Sequence, residues 1–221
     1  MRFGSEVELS YEDGVQAGRH QNGDANRDGR GDLITTFGPR DLFDWIIAVL
    51  HSPGYRTRYV DHLRSNFPRV PAPRSRELFG ALIPLGADLV ALHLLKHREM
   101  PILETPEIRF AGQGEARVQG GYPRYENGKV MINATRWFED VPKATWDFHV
   151  GGYQVCEKWL KDRAGKGGQN PRPGRVLTGE DILHYRRVVV ALTETRRIMT
   201  EIDRVIDQHG GWPGAFAPGG G

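Results

Sequence analysis

The residues after Thr178 form the longest regular pattern in the chain and constrain its fold most. From Tyr185 to Ile206, apolar or small side chains recur at alternating steps of three and four. This spacing predicts a helix with a heptad seam over roughly 30 residues, or about 45 Å. Thr178 and Asp181 have the spacing of a variant capping box at its start. A helix this long with one apolar stripe needs a packing partner, either the rest of the domain or another chain.

Composition narrows the class of protein. The 221 residues include 38% hydrophobic side chains, enough to bury a core in one domain or in one domain with an appendage. The formal net charge of +2 excludes a histone-like polycation but permits a local basic face. Cys156 is the single cysteine, so no internal disulfide can form. No apolar run approaches the roughly 20 residues of a membrane span, and no signal-peptide pattern opens the chain. We expect a soluble, cytoplasmic protein without a membrane partner.

The start of the chain is polar and the first regular element follows it. Residues 1–38 are rich in glycine, aspartate and asparagine, which predicts a flexible lead-in with a short strand at 7–9. Over residues 40–50, apolar side chains cover nearly the whole circumference of a helix, which predicts a short buried helix.

Two more helical stretches follow. Ser52 and Pro53 have the order of an N-cap and a first helical residue, and they predict a helix that runs to about Asn66. Residues 74–95 are also helical in pattern. Pro84 lacks a backbone donor and should break this stretch into two helices, or at least kink it.

Between residues 106 and 150 the pattern changes to short β-type runs separated by glycine-containing turns. Asn127 and Gly128 form the pair that two-residue hairpin turns favour. The runs that predict four or five antiparallel strands are EIRF, EARVQ, PRYEN, KVMINA and TWDFHV. After them, YQVCEKWLKDR is helical in pattern, and residues 164–177 form a polar loop that should be mobile.

These patterns together predict an α+β fold with a helical N-terminal subdomain, a small antiparallel sheet and a long C-terminal helix. The predicted domain covers residues 39–208. Its helical part, its sheet part and its C-terminal helices occupy 39–105, 106–150 and 151–208. Residues 209–221 are expected to be a disordered tail.

A cluster of arginines is the most distinctive charge pattern. Six arginines, no lysine and one acidic residue lie between His51 and Arg76. Such a density is typical of phosphate binding, and the guanidinium fork suits phosphate oxygens and guanine edges. The alternative is a solvated helix face whose arginines pair with acids elsewhere in the fold. The arginines to which we assign phosphate contacts are Arg56, Arg58, Arg69 and Arg74.

The hairpin region mixes side chains that read bases with side chains that hold phosphates, and such a two-stranded element can enter a major groove. An ordinary half-exposed sheet is the alternative. This mixed set consists of Arg124, Tyr125, Lys129, Asn133, Arg136 and Trp137, and the first five are the candidate DNA contacts. Lys158 and Lys161, in the predicted helix after Gly151-Gly152, are further exposed candidates. The glycine pair would allow a close backbone approach to DNA, although a tight turn explains it equally well.

Two short motifs match cofactor or metal sites in part. Residues 24–32 match the first half of a calcium loop, but Thr35 stands where an EF-hand has its bidentate glutamate, so a polar linker is the alternative. Phe110, Gly112 and Gly114 reproduce a glycine signature with which many methyltransferases hold S-adenosylmethionine. A strand rather than a helix is predicted to follow, which favours a turn between two strands.

Motifs for catalysis are missing from the sequence. It contains no Walker loop, no HExxH motif, no CxxC pair and no Asn/Asp-Pro-Pro-aromatic tetrapeptide to hold a flipped adenine. His93 and His97 fit a helix surface pair, and Cys156 fits a small buried hydrophobe. We therefore expect no catalytic residue, no metal ligand and no cofactor in this chain.

Four segments carry a resemblance to a known family. WDFHVGGYQVCEKWLKDR, from Trp146 to Arg163, resembles the C-terminal target-recognition region of type ISP restriction-modification enzymes and their adenine-specific methyltransferase and helicase relatives. The resemblance covers roughly residues 33–207. The other segments, which are similar to that region in the same order, are LFDWIIAVLHSPGYRTRYVDHLRSNFPRVP, KVMINATRWFEDVP and LTGEDILHYRRVVVALTETRRIMTEID.

The resemblance implies sequence-specific recognition of duplex DNA that directs an adenine-specific DNA methyltransferase to its target. In the family, one polypeptide typically joins a nuclease, a RecA-like translocase, the methyltransferase and this recognition domain. The implied partners are therefore double-stranded DNA and an adenine methyltransferase domain or subunit. S-adenosylmethionine, ATP and magnesium are expected for those other parts. Residues 1–32 do not resemble the methyltransferase, so the chain is either a piece of a longer protein or a separate subunit.

Two other classes of function stay open. The first is a partial methyltransferase that binds S-adenosylmethionine at residues 110–114. The second is a helical scaffold or dimerisation module, without a DNA role, built on the heptad helix at 178–208.

Overall fold

The computed structural model describes residues 29–96, 101–103, 106–167 and 171–217, together with the backbone of three short strands before them. The chain divides into two compact units. Unit 1 comprises Met1–Val90 and Arg197–Gly221, and unit 2 comprises Ala91–Arg196. The predicted subdivision at residues 105 and 150 differs from this one, because two helices run from one unit into the other.

The described elements include helices before and after a four-stranded sheet, which confirms the α+β class. The helices are α1 (Pro39–His51), α2 (Pro53–Arg58), α3 (Val60–Ser65), α4 (Arg76–His93), α5 (Lys143–Trp146), α6 (Val155–Lys161), α7 (Gly179–Gln208) and α8 (Gly211–Gly214), with a 3₁₀ turn at Pro101–Leu103. The strands are β1 (Arg2–Phe3), β2 (Val7–Glu8), β3 (Ser10–Tyr11), β4 (Thr36–Phe37), β5 (Arg109–Gly112), β6 (Arg124–Glu126), β7 (Lys129–Met131), β8 (Arg136–Glu139), β9 (His149–Val150) and β10 (Tyr153–Gln154). None of the helices within these described stretches is long and apolar enough to cross a membrane.

The start of α1 is fixed by the segment before it. The carboxylate of Asp41 accepts hydrogen bonds from the main-chain N–H of Gly38 and of Gly31. Arg30 forms salt bridges to Asp41 at 2.9 Å and to Asp44 at 2.6 Å. Both carboxylates are buried, so the arginine compensates charge that burial would otherwise penalise. Residues 29–38 are therefore folded against α1, which differs from a flexible lead-in that extends to residue 38.

The predicted second helix is divided in the structure. Ser52 caps α2 as predicted, because its hydroxyl accepts the N–H of Tyr55. The helix then breaks at Tyr59, whose φ and ψ are −108° and 21°. The break lets the rings of Tyr55 and Tyr59 both contact Trp212, at centroid distances of 5.7 and 6.0 Å. Packing against Trp212 thus accompanies the loss of a continuous helix.

The helix α4 continues through Pro84, contrary to the expected break. A proline inside a helix costs about 3 kcal/mol. Leu82 and Leu89 are 0% exposed and Ile83 is 3% exposed, so both sides of the proline are anchored in the core. Each such burial stabilises the folded chain by about 1.5–3 kcal/mol, which together exceeds the cost of the proline. Gly86 allows close packing on α1, since a Cβ there would lie 1.9 Å from the Asp44 carbonyl oxygen.

Unit 2 contains a four-stranded antiparallel sheet in the order β5-β8-β7-β6. The predicted hairpin is confirmed, with Glu126 paired to Lys129 across the turn. Asn127 and Gly128 have φ values of 46° and 81°, the left-handed conformations that such a turn requires.

Two of the predicted strands are wrong. EARVQ forms no strand, and Arg117 makes only an isolated bridge to Val176. TWDFHV is divided between α5 and the strand β9, which forms a separate small hairpin with β10. The strand β8 was not predicted, although it is a central strand of the sheet and pairs with both β5 and β7. The short β-type runs correctly predict that this region forms a sheet. They do not predict which strands pair, because pairing depends on contacts between residues distant in sequence.

The long helix α7 confirms the heptad prediction. Thr178 and Asp181 exchange the hydrogen bonds of a capping box, from the Asp181 N–H to the Thr178 hydroxyl and from the Thr178 N–H to the Asp181 carboxylate. Along the seam, Tyr185, Ile202 and Ile206 are 0% exposed. Most of the seam is thus covered by this chain alone, and nothing in it calls for a second copy.

The residues after α7 are packed rather than disordered as far as residue 217. The ring of Phe216 lies 4.0 Å from that of Trp212 and 6.1 Å from that of Trp45. The N–H of Arg74 donates to the carbonyl of Ala215 at 2.9 Å. The expected tail from 209 thus differs from the structure, because two aromatic side chains in it bury apolar surface in unit 1. Residues 218–221 lie outside the described part.

Candidate nucleic-acid interface

The arginines assigned to phosphates lie in unit 1. Arg56 and Arg58 are on α2, and Arg69 and Arg74 are on the segment between α3 and α4. All four side chains are exposed. Among the residues that the structure describes, none of the four forms a salt bridge to a carboxylate. Within the described residues, these four arginines therefore do not pair with acids elsewhere in the fold.

An open cleft of about 820 Å³ lies beside two of these arginines. Its walls include Arg69 and Arg74 together with Tyr55, Tyr59 and Phe216. The tyrosine hydroxyl of Tyr55 donates to the carbonyl of Arg69 at 2.8 Å, so the segment that carries the arginine is tied to the core. The cleft combines aromatic walls with guanidinium groups at its rim.

Hydrogen bonds to main-chain carbonyls orient two of the guanidiniums without neutralising them. Nε of Arg56 donates to the carbonyl of Leu50 at 2.8 Å, and Nη1 of Arg74 donates to that of Gly214 at 3.3 Å. Partial burial lowers the pKa of Arg56. A carbonyl carries no net charge, so an anion at this surface would favour the charged guanidinium.

Arg124 and Lys129 lie on the outer face of the unit 2 sheet. Arg124 pairs with Met131 and Met131 with Trp137, so these side chains share one face, and Lys129 joins it two residues before Met131. The Lys129 ammonium lies 4.6 Å above the Trp137 ring and 3.8 Å from the carboxylate of Glu139. This face presents donors, acceptors and an aromatic edge, the chemistry that reads base pairs in a groove.

Asn133 lies inside unit 2 and is 3% exposed. Its amide nitrogen donates to the carbonyls of Glu115 and Arg117, at 3.1 and 2.9 Å. Its amide oxygen accepts the main-chain N–H groups of Thr135 and Arg136, at 2.9 and 2.8 Å. The amide thus holds the β7–β8 connection in place and is not available to a DNA base in this structure.

Tyr125 and Arg136 face the packed side of the same sheet. The Tyr125 hydroxyl donates to the carbonyl of Val141 at 2.9 Å, and its ring stacks on Trp146 at 5.7 Å. Nη1 of Arg136 donates to the carbonyl of Gly112 at 2.9 Å. Both side chains hold the sheet together, which leaves Arg124 and Lys129 as the sheet's predicted contacts that face outward.

Two further residues lie on the outer face; Trp137 belonged to the predicted mixed set of the hairpin region, whereas Arg109 was not predicted. Trp137 is half-buried at the centre of the face. Arg109 is exposed at its edge and forms salt bridges to Glu139 at 3.3 Å and to Asp140 at 3.1 Å. The adjacent aromatic residues Trp137 and Phe138 favour a strand, and this β propensity is the signal that could have identified β8.

The predicted lysines of α6 are exposed but paired. Lys158 contacts Asp162 and Lys161 contacts Glu157, each pair one helical turn apart. Such exposed pairs stabilise a helix by about 0.3–0.5 kcal/mol, so a phosphate could replace either partner at small cost. The two lysines stay candidate contacts.

Gly151 and Gly152 form the two-residue turn between β9 and β10. Their φ values are 56° and 83°, and no atom lies within 4 Å of a Cβ built on either. Positive φ rather than crowding therefore explains the pair. Val150 and Tyr153 face each other across the turn and are 42% and 61% exposed. The turn presents an apolar tip to solvent.

The glycines of the methyltransferase-like signature serve the sheet. A Cβ on Gly112 would lie 1.9 Å from the Thr135 carbonyl oxygen, so close strand pairing accounts for that glycine. No helix follows Gly114 before β6, and a helix N-terminus is what would hold a nucleotide. The signature gives no geometric support to a cofactor site.

The residues that the structure describes likewise show no metal-binding geometry. Asp24, Asn26 and Asp28 of the calcium-like motif lie outside the described residues. Asp32 is described, and its carboxylate accepts the N–H groups of Thr35, Thr36 and Ile34, which lower its pKa. Within the described stretches, no group of three or more histidine, cysteine, aspartate or glutamate side chains is placed to hold a metal ion.

A family model described as the type ISP C-terminal specificity domain matches residues 12–201. The chain belongs to the type ISP C-terminal specificity domain family. The match includes all the predicted contact residues and confirms the resemblance seen in the four sequence segments. No curated protein matched the chain.

Solved structures similar to this specificity domain share its fold at low sequence identity. A nuclease-deletion mutant of the type ISP restriction-modification enzyme LlaGI, in complex with a DNA substrate mimic, aligns with a TM-score of 0.54, 19% identity, 75% of this chain and 14% of that one. A DrdV–DNA complex aligns with a TM-score of 0.59, 22% identity, 75% of this chain and 18% of that one. The ATP-dependent type ISP enzyme LlaBIII bound to DNA aligns with a TM-score of 0.54, 18% identity, 73% of this chain and 11% of that one. The specificity domain thus corresponds to less than a fifth of each of these chains.

Proposed function

We propose that this chain recognises a target sequence in duplex DNA for a restriction-modification enzyme. The match of residues 12–201 to the type ISP specificity domain carries the proposal. The similar LlaGI, DrdV and LlaBIII structures, which are complexes with DNA or a DNA mimic, support the choice of ligand.

The two units would divide the work of recognition. In unit 1, Arg58 and Arg69, which form no salt bridge within the described residues, would hold backbone phosphates, which positions a protein on DNA without reading its sequence. In unit 2, Arg124 on the outer face of the sheet and the turn at 151–152 would reach base edges, while Lys129 on the same face would hold a phosphate. Asn133 would act only by holding this surface in shape.

The chemistry would belong to other parts of the enzyme. Methyl transfer to adenine from S-adenosylmethionine, ATP-driven translocation with magnesium and DNA cleavage need motifs that the 221 residues do not contain. The proposed partner is therefore an adenine methyltransferase domain or subunit. This chain would supply target recognition and no catalytic residue.

A binding selection on randomised duplex DNA, at near-physiological salt, tests the proposal. The purified chain should enrich one sequence motif. A salt titration on the enriched duplex and on a scrambled duplex then separates phosphate contacts from base contacts, since only the former make affinity fall steeply with salt.

Three results are possible. Enrichment of one motif supports target recognition by the chain alone. Salt-steep binding without enrichment supports DNA binding but places sequence selection in the combination with the methyltransferase. A chain that binds no duplex at any salt concentration would contradict the proposal.

A further inference from the structure

A second pocket lies in unit 2, and one of its lining residues, Asp162, pairs with the candidate contact Lys158. The volume of the pocket is about 410 Å³. It is built where the end of α6 meets the loop that precedes α7. The lining residues are Asp162, Arg163, Ala164, Arg172, Pro173 and Arg175. Three of these six side chains are guanidiniums, and one is a carboxylate.

The two chain segments that form the pocket are held together by main-chain hydrogen bonds. The N–H of Arg175 donates to the carbonyl of Arg163 at 2.8 Å. Lys166 and Arg172 exchange a reciprocal pair of main-chain hydrogen bonds at 3.0 Å. Gly174 is tightly enclosed, because a Cβ there would lie 1.6 Å from the Val118 carbonyl oxygen. The arginines are therefore mounted on a braced segment.

The positive charge of the pocket is only partly compensated. Arg175 forms a salt bridge to Asp181 at 2.9 Å, and Asp162 is occupied by the ammonium of Lys158. Arg172 is exposed and has no salt bridge among the residues that the structure describes. The charges that line the cavity thus leave an excess of guanidinium over carboxylate.

Arg163 is held rigidly at the wall of the pocket. Its guanidinium carbon lies 3.5 Å from the centre of the Trp159 ring, and Nη1 donates to the Trp159 carbonyl at 2.8 Å. Burial and the neighbouring charge of Arg175 lower the pKa of Arg163. Arg163 and Arg175 line the same pocket, so an anion bound in it would be attracted by both guanidiniums.

We propose that this arginine pocket, defined by Arg163, Arg172 and Arg175, binds a backbone phosphate of duplex DNA. A phosphodiester has one negative charge and several acceptor oxygens, which match donors that approach from more than one side. The volume accommodates the phosphate together with part of its sugar. The proposal rests on the proposed function, and it adds a contact outside both the unit 1 arginines and the sheet.

The test uses the full chain and labelled duplexes, with fluorescence anisotropy read over a series of salt concentrations. Arg172→Ala removes an exposed side chain and leaves the main-chain bridge to Lys166 intact. We expect about fivefold to tenfold weaker binding to enriched and scrambled duplexes alike, with a salt slope smaller by about 0.9. Arg172→Glu should weaken binding further, and Arg172→Lys should retain most of the salt slope. Arg204→Ala is the matched control, because Arg204 is an exposed arginine already paired with Glu201.

Several outcomes would overturn the proposal. If the wild-type chain binds DNA and Arg172→Ala and Arg172→Glu change neither affinity nor salt slope, the pocket fails while the proposed function stands. If Arg172-dependent heat appears on titration with inorganic phosphate but duplex binding is unchanged, the pocket takes a free anion instead. If the wild-type chain binds no duplex, the proposed function and the pocket fail together.

Discussion

The arginines of unit 1 and the polar side chains of the unit 2 sheet are selected by the same reasoning from residue type, yet the fold uses them differently. Arg58 and Arg69 are exposed and form no salt bridge within the described residues. The side chains of Asn133 and Arg136 instead form hydrogen bonds with main-chain groups of their own unit. A residue type that suits DNA is thus available for binding only where the fold does not already need its donors and acceptors.

The largest effect is expected at Asn133. Replacement with alanine removes the donor to the carbonyls of Glu115 and Arg117 and the acceptor for the N–H groups of Thr135 and Arg136, and the free energy of unfolding should fall by about 2–4 kcal/mol. Urea unfolding followed by circular dichroism measures the change.

Arg124→Ala is the control for Asn133→Ala, because Arg124 is exposed on the same sheet and its loss should change stability by less than about 0.5 kcal/mol. If Asn133→Ala kept full stability and changed the preferred DNA sequence instead, the amide would be a reader of bases and the contrast between the units would fail.

The second effect concerns binding rather than stability. The double variant Arg58→Ala/Arg69→Ala should bind every duplex about tenfold to a hundredfold more weakly, with a salt slope smaller by about 1.8, since each neutralised phosphate contributes about 0.9. Anisotropy titrations on enriched and scrambled duplexes measure both quantities. A loss restricted to the enriched duplex would show that these arginines read bases, and an unchanged slope would remove them from the interface.

Local signals predicted much of the fold. The cap at Ser52, the turn at Asn127-Gly128 and the capping box of Thr178 each depend on a few neighbouring residues, and each is present in the structure. The helix break predicted at Pro84 was wrong, because the free-energy cost of the proline is smaller than the stabilisation from the buried side chains on both sides of it. The disordered tail predicted after residue 208 was wrong as far as residue 217, because aromatic side chains of this glycine-rich segment pack against the core.

The candidate site was harder to predict than the fold. The arginine density of residues 51–76 is a property of the sequence. Only the tertiary structure shows that, within the described residues, Arg64 and Arg76 pair with nearby acids, whereas the four arginines assigned to phosphates form no salt bridge. Trp137 could be placed on the outer face only after β8 was known to pair with β7. The three arginines of the unit 2 pocket are separated by up to 12 residues of loop sequence without periodicity, so no pattern indicates that they converge.

Lys129 extends the comparison of the two units to an outward-facing residue of the unit 2 sheet. Its ammonium is 3.8 Å from the Glu139 carboxylate and is partly compensated, so Lys129→Ala should weaken binding only about threefold, and equally on all duplexes. Parallel titrations on duplexes that differ at single positions measure this. Relaxed preference at one position would instead make Lys129 a base reader, and unchanged binding to all duplexes would exclude it.

Cys156 provides the smallest expected effect and reports on the interior of unit 2. The side chain is 0% exposed, and burial raises the pKa of its thiol to about 12. Because this lies above the ordinary value, the thiol stays protonated at pH 8, and the stability due to the neutral group is lost only as the pH rises towards 12. A thiol reagent at pH 8 should therefore leave the folded chain unlabelled, with or without DNA, and should label the urea-unfolded chain rapidly. Labelling that appears when DNA is added would mean that unit 2 opens on binding, and Asn133 and Arg136 would then be free to contact bases after all.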